Sequence, residues 1–403
     1  MPTQSPRIFL FLQGMAGFFF SRLAAELQHR GGHIHRINFN GGDWLFWSHR
    51  KAANFRGQPV DWPVFLLAYL QRHAITDIVL FGDCRPAHRV AIALAQASNV
   101  RVHVCEEGYL RPDWVTLEEG GVNGYSRLSR DPSYIINAAN ALSSPSSSPP
   151  VPASFARRAF EDVAYNFASL IAAPLYPHEQ THRLRPRLIE YAGWSWKVLR
   201  SPWLRPATRR AIAAAGQLHF ILPLQLNSDA QIRVHSPFGD MATALQHILL
   251  SFARHAPAGM RLLVKEHPLD DGLINWRRLV EREAAALGIA QNVHYAHAGD
   301  LALLARCARG MVTVNSTAGA HALAAGLPVV ALGTAIYDIP GLTHQGGLDS
   351  FWHTPSPPHR ELFIAFRKVL IARCLIAGNF FSELGLSMLT QNAAQRLLVN
   401  HAI

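Results

Sequence analysis

Four cysteines, Cys84, Cys105, Cys307 and Cys374, are too few and too scattered for a disulfide framework. They show no metal-ligand spacing and sit in segments that read as apolar core, so a reduced interior and no metal site are expected. Charged residues are sparse as well, at 16% against 49% hydrophobic, which excludes a disordered chain. No apolar run is long enough to span a bilayer. The run at 8–12 follows Arg7 in the manner of a signal peptide, but Gln13, Gly14 and Gly17 interrupt it. An amphipathic stretch through Arg22, Glu26 and Arg30 comes next, so a strand, a glycine loop and a helix are expected. There is no tight block of Lys or Arg, no nucleic-acid-binding signature and no internal repeat.

What is present is a chain of 403 residues, enough for two domains each with its own core. Lys and Arg total 38 against 27 Asp and Glu, a net charge of +11 that favours anionic partners such as nucleotide-sugars or an anionic membrane surface. Arginines recur at 183, 185 and 187 and again at 200, 205, 209 and 210.

Hydrophobic patterning predicts strands at 8–12, 33–39, 77–81 and 100–105, alternating with helices at 19–29, 64–73 and 86–97. Residues 137–154, rich in Ser and Pro, read as a flexible surface connection. Helix is expected over 155–215, broken by Pro174, Pro177, Pro186, Pro202 and Pro206. A second series follows, with strands at 220–225, 261–266, 292–296, 310–315 and 328–332 and helices at 241–254, 276–287 and 317–325. From 360 onward the chain reads as helical. The expected architecture is therefore α/β, with Rossmann-like domains at 1–215 and 216–358 and C-terminal helices at 359–403. This matches the GT-B glycosyltransferase plan, in which ligands sit at the C-terminal ends of the strands.

The strand-end loops hold the candidate chemistry. Gln13, Gly14 and Gly17 form a loop where a ligand can approach backbone N–H groups, or simply a strand-to-helix turn. Asn40 and Asp43 lie in Asn38-Phe39-Asn40-Gly41-Gly42-Asp43-Trp44. Asp83 is either a helix N-cap or a cleft residue, and Arg85 pairs either with it or with an anion. Glu106 and Glu107, near Tyr109 and Trp114, are either an acid/base pair beside an apolar wall or a turn in which one pairs with Arg111. Asp229 is either an Asx turn or a nucleophile. Gln225 ends the strand before it. Lys265, His267 and Pro268 suit a phosphate. Asn315, Ser316 and Thr317 suit either a helix cap or a phosphate seat at the positive helix end.

Together these runs, with Gln231-Ile232-Arg233-Val234-His235-Ser236 and Tyr337-Asp338-Ile339-Pro340-Gly341-Leu342-Thr343, resemble the capsule-polysaccharide synthesis proteins of the KpsS/LipB type. The resemblance implies a retaining, metal-independent β-Kdo transferase without a cofactor, using CMP-β-Kdo as donor and a (lyso)phosphatidylglycerol acceptor to start a poly-Kdo linker. It implies Asp229 as nucleophile, His267 with Lys265, Ser316 and Thr317 on the CMP, and Glu106 or Glu107 as acid/base or acceptor-side group. It also implies a cytoplasmic enzyme, peripheral on the inner membrane face, with other capsule proteins as partners. A non-catalytic capsule export or assembly protein and a nucleotide-sugar epimerase are the alternatives.

Overall fold

The apolar run after Arg7 becomes a strand whose two faces are both buried: Phe9 and Phe11 pack to one side, Leu10 and Leu12 to the other. Continuous burial of this kind is the mark of a parallel sheet covered by helices on both faces. The computed structural model describes residues 6–47, 51–143, 150–179, 187–216 and 219–399. The chain divides into two compact units. Met1–Leu128, Ser144–His182 and Leu370–Ile403 make the first, Ser129–Ser143 and Arg183–Val369 the second.

In chain order, β1 (Ile8–Phe11), β2 (His33–Asn38), β3 (Ala53–Asn54), β4 (Asp77–Phe81), β5 (Arg101–Glu107) and β6 (Trp114–Glu119) belong to the first unit. The second holds β7 (His219–Pro223), β8 (Arg261–Lys265), β9 (Val293–Ala296), β10 (Gly310–Thr313) and β11 (Val329–Ala331), and β12 (Leu375–Ala377) returns to the first. The first sheet has the order β12-β6-β5-β4-β1-β2-β3, parallel from β5 to β3, with β6 antiparallel to both β5 and β12. The second has the order β11-β10-β7-β8-β9 and is parallel throughout.

Helices alternate with these strands: α1 (Phe19–His29), α2 (Gly41–Leu45), α3 (Trp62–Arg72), α4 (Pro86–Ala97), α5 (Pro132–Ala141), α6 (Phe155–Ile171) and α7 (Arg187–Ala215). Then come α8 (Ala230–Arg233), α9 (Met241–His255), α10 (Trp276–Ala286), α11 (Leu301–Arg306), α12 (Thr317–Ala324), α13 (Gly347–Phe351), α14 (Arg360–Cys374) and α15 (Glu383–Leu398). In the first unit α1 and α15 cover the Phe9/Phe11 face, while α3 and α4 cover the Leu10/Leu12 face. In the second, α9, α10 and α13 pack on Phe220 and Leu222 of β7. Each unit is thus Rossmann-like, and two such units with helices at the end of the chain are the components of the GT-B plan.

Several expectations change. The domain limits drawn at 215 and 358 give way to 182 and 369, because the long helix α7 packs on β8 and β9 and α15 packs on α1. Strand β6 and the C-terminal β12 were not legible as strands. Pro202 and Pro206 lie inside α7 and do not end it. The stretch 137–154 is not a plain flexible connection. Residues 137–141 belong to α5, and Val151 is buried with its N–H donated to Asp113 Oδ1 at 2.9 Å. Ser144–Pro149 and the arginines at 183 and 185 lie outside the described residues. The four cysteines are free thiols, but Cys307 is exposed and not core.

The paired glycines at the start of α2 have a packing reason. A Cβ on Gly41 would lie 2.3 Å from the Ala168 carbonyl oxygen of α6, and one on Gly42 would lie 2.5 Å from the Tyr165 ring. Backbone cannot retreat as a flexible side chain can, so Gly41→Ala is expected to cost about 1–3 kcal/mol by forced overpacking. A thermal melt checks this, and an unchanged midpoint would mean that α6 is not seated on α2.

Candidate active site

An open parallel sheet forms a ligand crevice where the strand order reverses, outside the C-terminal ends of the strands. In the first sheet that point lies between β1 and β4. The loops after these strands carry Gln13, Gly14 and Gly17 on one side and Asp83 and Arg85 on the other. They are tied together: Arg85 Nη1 donates to the Gly14 carbonyl at 3.1 Å. Beside this tie lies a cavity of about 260 Å³ lined by Gln13, Phe39, Phe55, Trp62, Arg85 and Glu179, among others.

Most of the predicted polar residues here turn out to hold the walls. Gln13 Nε2 and Asn40 Nδ2 both donate to the Tyr165 hydroxyl at 2.9 Å, and that hydroxyl donates to Asp43 Oδ1 at 3.2 Å. Asp43 is buried against Arg36 at 3.1 Å, and Asn40 Oδ1 caps α2 by accepting from the Asp43 N–H at 2.8 Å. Burial weighs against the Arg36 charge, and the Asp43 carboxylate opposes that loss. This network clamps α6 over α2, so Asn40 and Asp43 have a structural role. Asp83 does not cap α4. Its Oδ2 accepts from the Val122 N–H at 2.8 Å and so ties the β4 loop to the chain after β6. Gly17 adopts φ +139°, and a Cβ there would meet Glu161 Oε2 at 3.0 Å.

Glu106 and Glu107 do not follow β5; they are its last two residues, paired with Thr116 and Val115 of β6. Glu107 is engaged through both oxygens, by Arg111 at 2.6 Å and Arg158 at 2.5 Å, which is the ion-pair reading of Arg111. Glu106 accepts from Asn123 Nδ2. The buried carboxyl of this region is Glu118, whose burial raises its pKa although Ser126 and Tyr109 donate hydrogen bonds to it. Sequence reading missed it because β6 itself was missed. It also missed Glu161 on α6, a buried carboxylate whose Oε1 accepts from Arg157 Nε at 2.9 Å while Oε2 has no hydrogen-bond partner among the described residues. A signal did exist: Glu161, Tyr165 and Ser169 recur at helical spacing opposite the exposed Phe160, Val163 and Phe167.

In the second sheet the order reverses between β7 and β10. The loops are tied here too, by buried Gln225, whose Oε1 accepts from the Asn315 N–H at 2.9 Å. Ser316 donates its N–H to Thr313 Oγ1 at 3.0 Å, and its own Oγ accepts from Ala318 N at 3.2 Å. The amides of 315, 316 and 318 are therefore committed within the protein, which narrows the seat expected from free N–H groups to the Thr317 amide and the half-buried side chains of Ser316 and Thr317. Asp229 is the N-cap of α8, accepting from Gln231 N at 2.9 Å.

The Lys265-Glu266-His267-Pro268 run ends β8 and divides into two roles. Glu266 is a hub, within 2.6 Å of Lys197 Nζ, 2.5 Å of the Tyr295 hydroxyl and 2.8 Å of His297 Nδ1. Burial alone would raise its pKa, but the hydrogen bonds from His297, Lys197 and Tyr295 prevail and hold it at about 2. Lys265 is buried, and its Nζ donates to the Glu266 carbonyl at 3.2 Å. Among the described residues no carboxylate lies within ion-pair distance of it, and burial lowers its pKa. His267 Nδ1 accepts from Leu269 N at 3.1 Å, which puts the proton of the neutral ring on Nε2. Pro268 is exposed.

Residues 76–381 match the family described as capsule polysaccharide biosynthesis protein. The chain belongs to that family. The capsule polysaccharide modification protein LipB of Neisseria meningitidis serogroup A is 36% identical over 400 residues, covering 94% of this chain and 93% of that one. The capsule polysaccharide export protein KpsS of Escherichia coli is 33% identical over 381 residues, covering 94% and 97%. Among solved structures, the KpsC β-Kdo 2,7 transferase of Thermosulfurimonas dismutans is similar at a TM-score of 0.44 and 13% identity, over 89% of each chain. The matched span begins at the start of β4, so it takes in the loops after β4, β7, β8 and β10, while the loops after β1 and β2 precede it.

The Glu266 hub has a pH signature. A carboxyl held at about 2 in the fold, against an ordinary 4.5, stabilises the protein above the higher value and loses that contribution as pH falls toward the lower. Glu266→Gln should therefore be less stable at neutral pH, by on the order of 3 kcal/mol, and flatter between pH 4.5 and 2 than the parent. Denaturant unfolding across that range decides it; parallel pH profiles would remove the hub.

Proposed function

We propose that this chain is a capsule glycosyltransferase that moves β-Kdo from CMP-β-Kdo to a (lyso)phosphatidylglycerol acceptor with retention of configuration and without a metal. The observation that carries it is the buried Lys265 ammonium at the end of β8, which has no carboxylate partner among the described residues. A desolvated cation of this kind suits the phosphate of a nucleotide donor and supplies charge that a metal would otherwise provide. His267, through Nε2–H, and the hydroxyls of Ser316 and Thr317 add donors from the neighbouring strand ends.

Retention calls for two displacements. In the first, the Asp229 carboxylate attacks the anomeric carbon; the bond to the CMP oxygen breaks and its electron pair leaves on the phosphate. In the second, the acceptor hydroxyl oxygen bonds to that carbon, the ester to Asp229 breaks, and the hydroxyl proton passes to a base. Asp229 lies in the loop at the β7/β10 reversal, and Gln231 N holds its Oδ1.

A peripheral site on the inner membrane face is part of the proposal. No helix among the described residues is long and apolar enough to cross a membrane. In α6, however, Phe160, Val163, Phe167, Leu170 and Ile171 form an exposed stripe. In α7, Trp196 and Trp203 are exposed, with Arg200 over the Trp196 ring at 5.7 Å. Apolar stripes and tryptophans beside arginine, on a chain of net charge +11, suit an anionic interface.

The decisive assay supplies CMP-Kdo, made in situ, and fluorescent lysophosphatidylglycerol. Asp229→Asn keeps the helix cap, so it should lower transfer more than about a thousandfold with the melting midpoint unchanged. Lys265→Gln should raise the donor KM roughly tenfold or more by removing a charge-assisted bond. Full activity in Asp229→Asn would dismiss the nucleophile. The name of the E. coli relative favours a second reading, a non-catalytic export protein, which predicts no stabilisation by CMP. In flotation, the chain should rise with phosphatidylglycerol vesicles and not with phosphatidylcholine alone, and Phe160→Ser with Phe167→Ser should abolish this. Equal flotation of the double variant would discard α6 as the contact.

A further inference from the structure

We infer that Lys197, on α7, is a positioning residue for the donor phosphate: it fixes the turn after β8 that carries His267. The inference rests on the transferase reading only in taking that turn as the place where the nucleotide phosphate binds.

Two lysines meet the end of β8, and their donors are spent differently. An ammonium has three N–H donors. Lys197 Nζ lies 2.6 Å from Glu266 Oε1, 3.0 Å from the Asp270 carbonyl oxygen and 3.2 Å from the His267 carbonyl oxygen. Its donors are thus committed to the protein, with none left for a ligand. Lys265 Nζ makes one hydrogen bond among the described residues, to the Glu266 carbonyl at 3.2 Å. Lys265 therefore keeps donors for an anion, while Lys197 holds the loop.

What Lys197 holds is a tight turn. The Asp270 N–H donates to the His267 carbonyl at 3.1 Å, and Lys197 reaches the same carbonyl from α7. Leu269 N donates to His267 Nδ1 at 3.1 Å, so the imidazole is fixed within the turn and moves with it. The far end is anchored by sequence neighbours, since Asp270 Oδ2 accepts from Trp276 Nε1 at 2.9 Å and its Oδ1 from Gly272 N at 2.8 Å. The His267 end is anchored by Lys197, 70 residues away in sequence.

Helix α7 comes close enough because position 193, one turn before Lys197, is glycine. A Cβ there would run into the Asp271 carbonyl oxygen and lie 2.9 Å from Leu273 Cδ2. Gly272, at φ +69°, answers it from the loop, where a Cβ would meet Lys197 Cβ at 3.4 Å. A turn ordered before the anion arrives leaves the cost of ordering out of binding, so the contribution of Lys197 belongs to donor affinity.

The test measures CMP affinity of the full chain by calorimetry and, in the transfer assay, the KM for CMP-Kdo and kcat. Lys197→Met keeps most of the stem without the donors; it should weaken CMP about tenfold or more and raise the donor KM in proportion, with kcat within about threefold of the parent. Lys197→Arg keeps the charge but cannot set one nitrogen on three acceptors, and should fall between. Gly193→Ala, which leaves Lys197 in place and pushes α7 off the loop, should weaken CMP in the same direction. Gly41→Ala, destabilised in the other unit, controls for stability alone and should bind CMP as the parent does. CMP affinity in Lys197→Met within about twofold of the parent would overturn the role and leave the donor reading intact. An equal loss in Gly41→Ala, or a fall in kcat at unchanged KM, would overturn it as well. If Lys197→Met does not fold, parent-like CMP affinity in both Lys197→Arg and Gly193→Ala overturns the role. Failure of the parent to bind CMP would refute the donor reading, and this role with it.

Discussion

Strand β1 is hydrogen-bonded in parallel to β2 on one side and to β4 on the other, and most of the first unit follows from that double pairing. A strand in this position has no solvent face, so Phe9 and Leu10 alike must be covered, and helices are required above and below. The crossovers from β1 to β2 and onward to β4 leave the sheet on opposite faces, so the loops at the ends of β1 and β4 diverge. In the second unit β7 stands in the same relation to β8 and β10. Each divergence is bridged by polar ties, among them Arg85 to Gly14 in one sheet and Gln225 to Asn315 in the other.

Charge is distributed around these points with a consistent logic. Several interior carboxylates are neutralised where they stand. Asp77, at the other end of β4, holds Arg7, Arg101 and His103, and although its burial opposes ionisation these hydrogen bonds lower its pKa. Glu107 lies between two arginines and Glu266 between Lys197 and His297. Among the described residues, Arg85 and Lys265 are two cations with no carboxylate within ion-pair distance, and both sit at strand ends, after β4 and at the end of β8. An unpaired buried charge is unfavourable in the empty protein, and a bound anion is the natural compensation.

The motifs were legible as places more than as roles. Asn38 to Trp44 was visible as a strand-end loop, but its glycines answer to α6, more than a hundred residues later, and its Asn40 and Asp43 to Tyr165 on that same helix. Glu106 and Glu107 were visible as paired carboxylates. Their place in strand pairing depends on β6, which pairs on its other edge with β12, some 260 residues further on. Glu118 and Glu161 were not legible as site residues, because nothing local distinguishes a glutamate that will be buried from one that will be solvated.

Periodicity and punctuation in the sequence determined the order of most strands and helices and the parallel pairing at the centre of both sheets, because those features rest on local sterics and on which faces are apolar. Helix α7 running through Pro202 and Pro206, the return of the last residues to the first unit and the division of polar residues between wall and site were decided only by tertiary structure. The physical reason is that a side chain's role is set by what neutralises it, and for Asp43, Glu107, Glu266 and Arg85 the deciding groups, present or missing, come from distant segments of the chain.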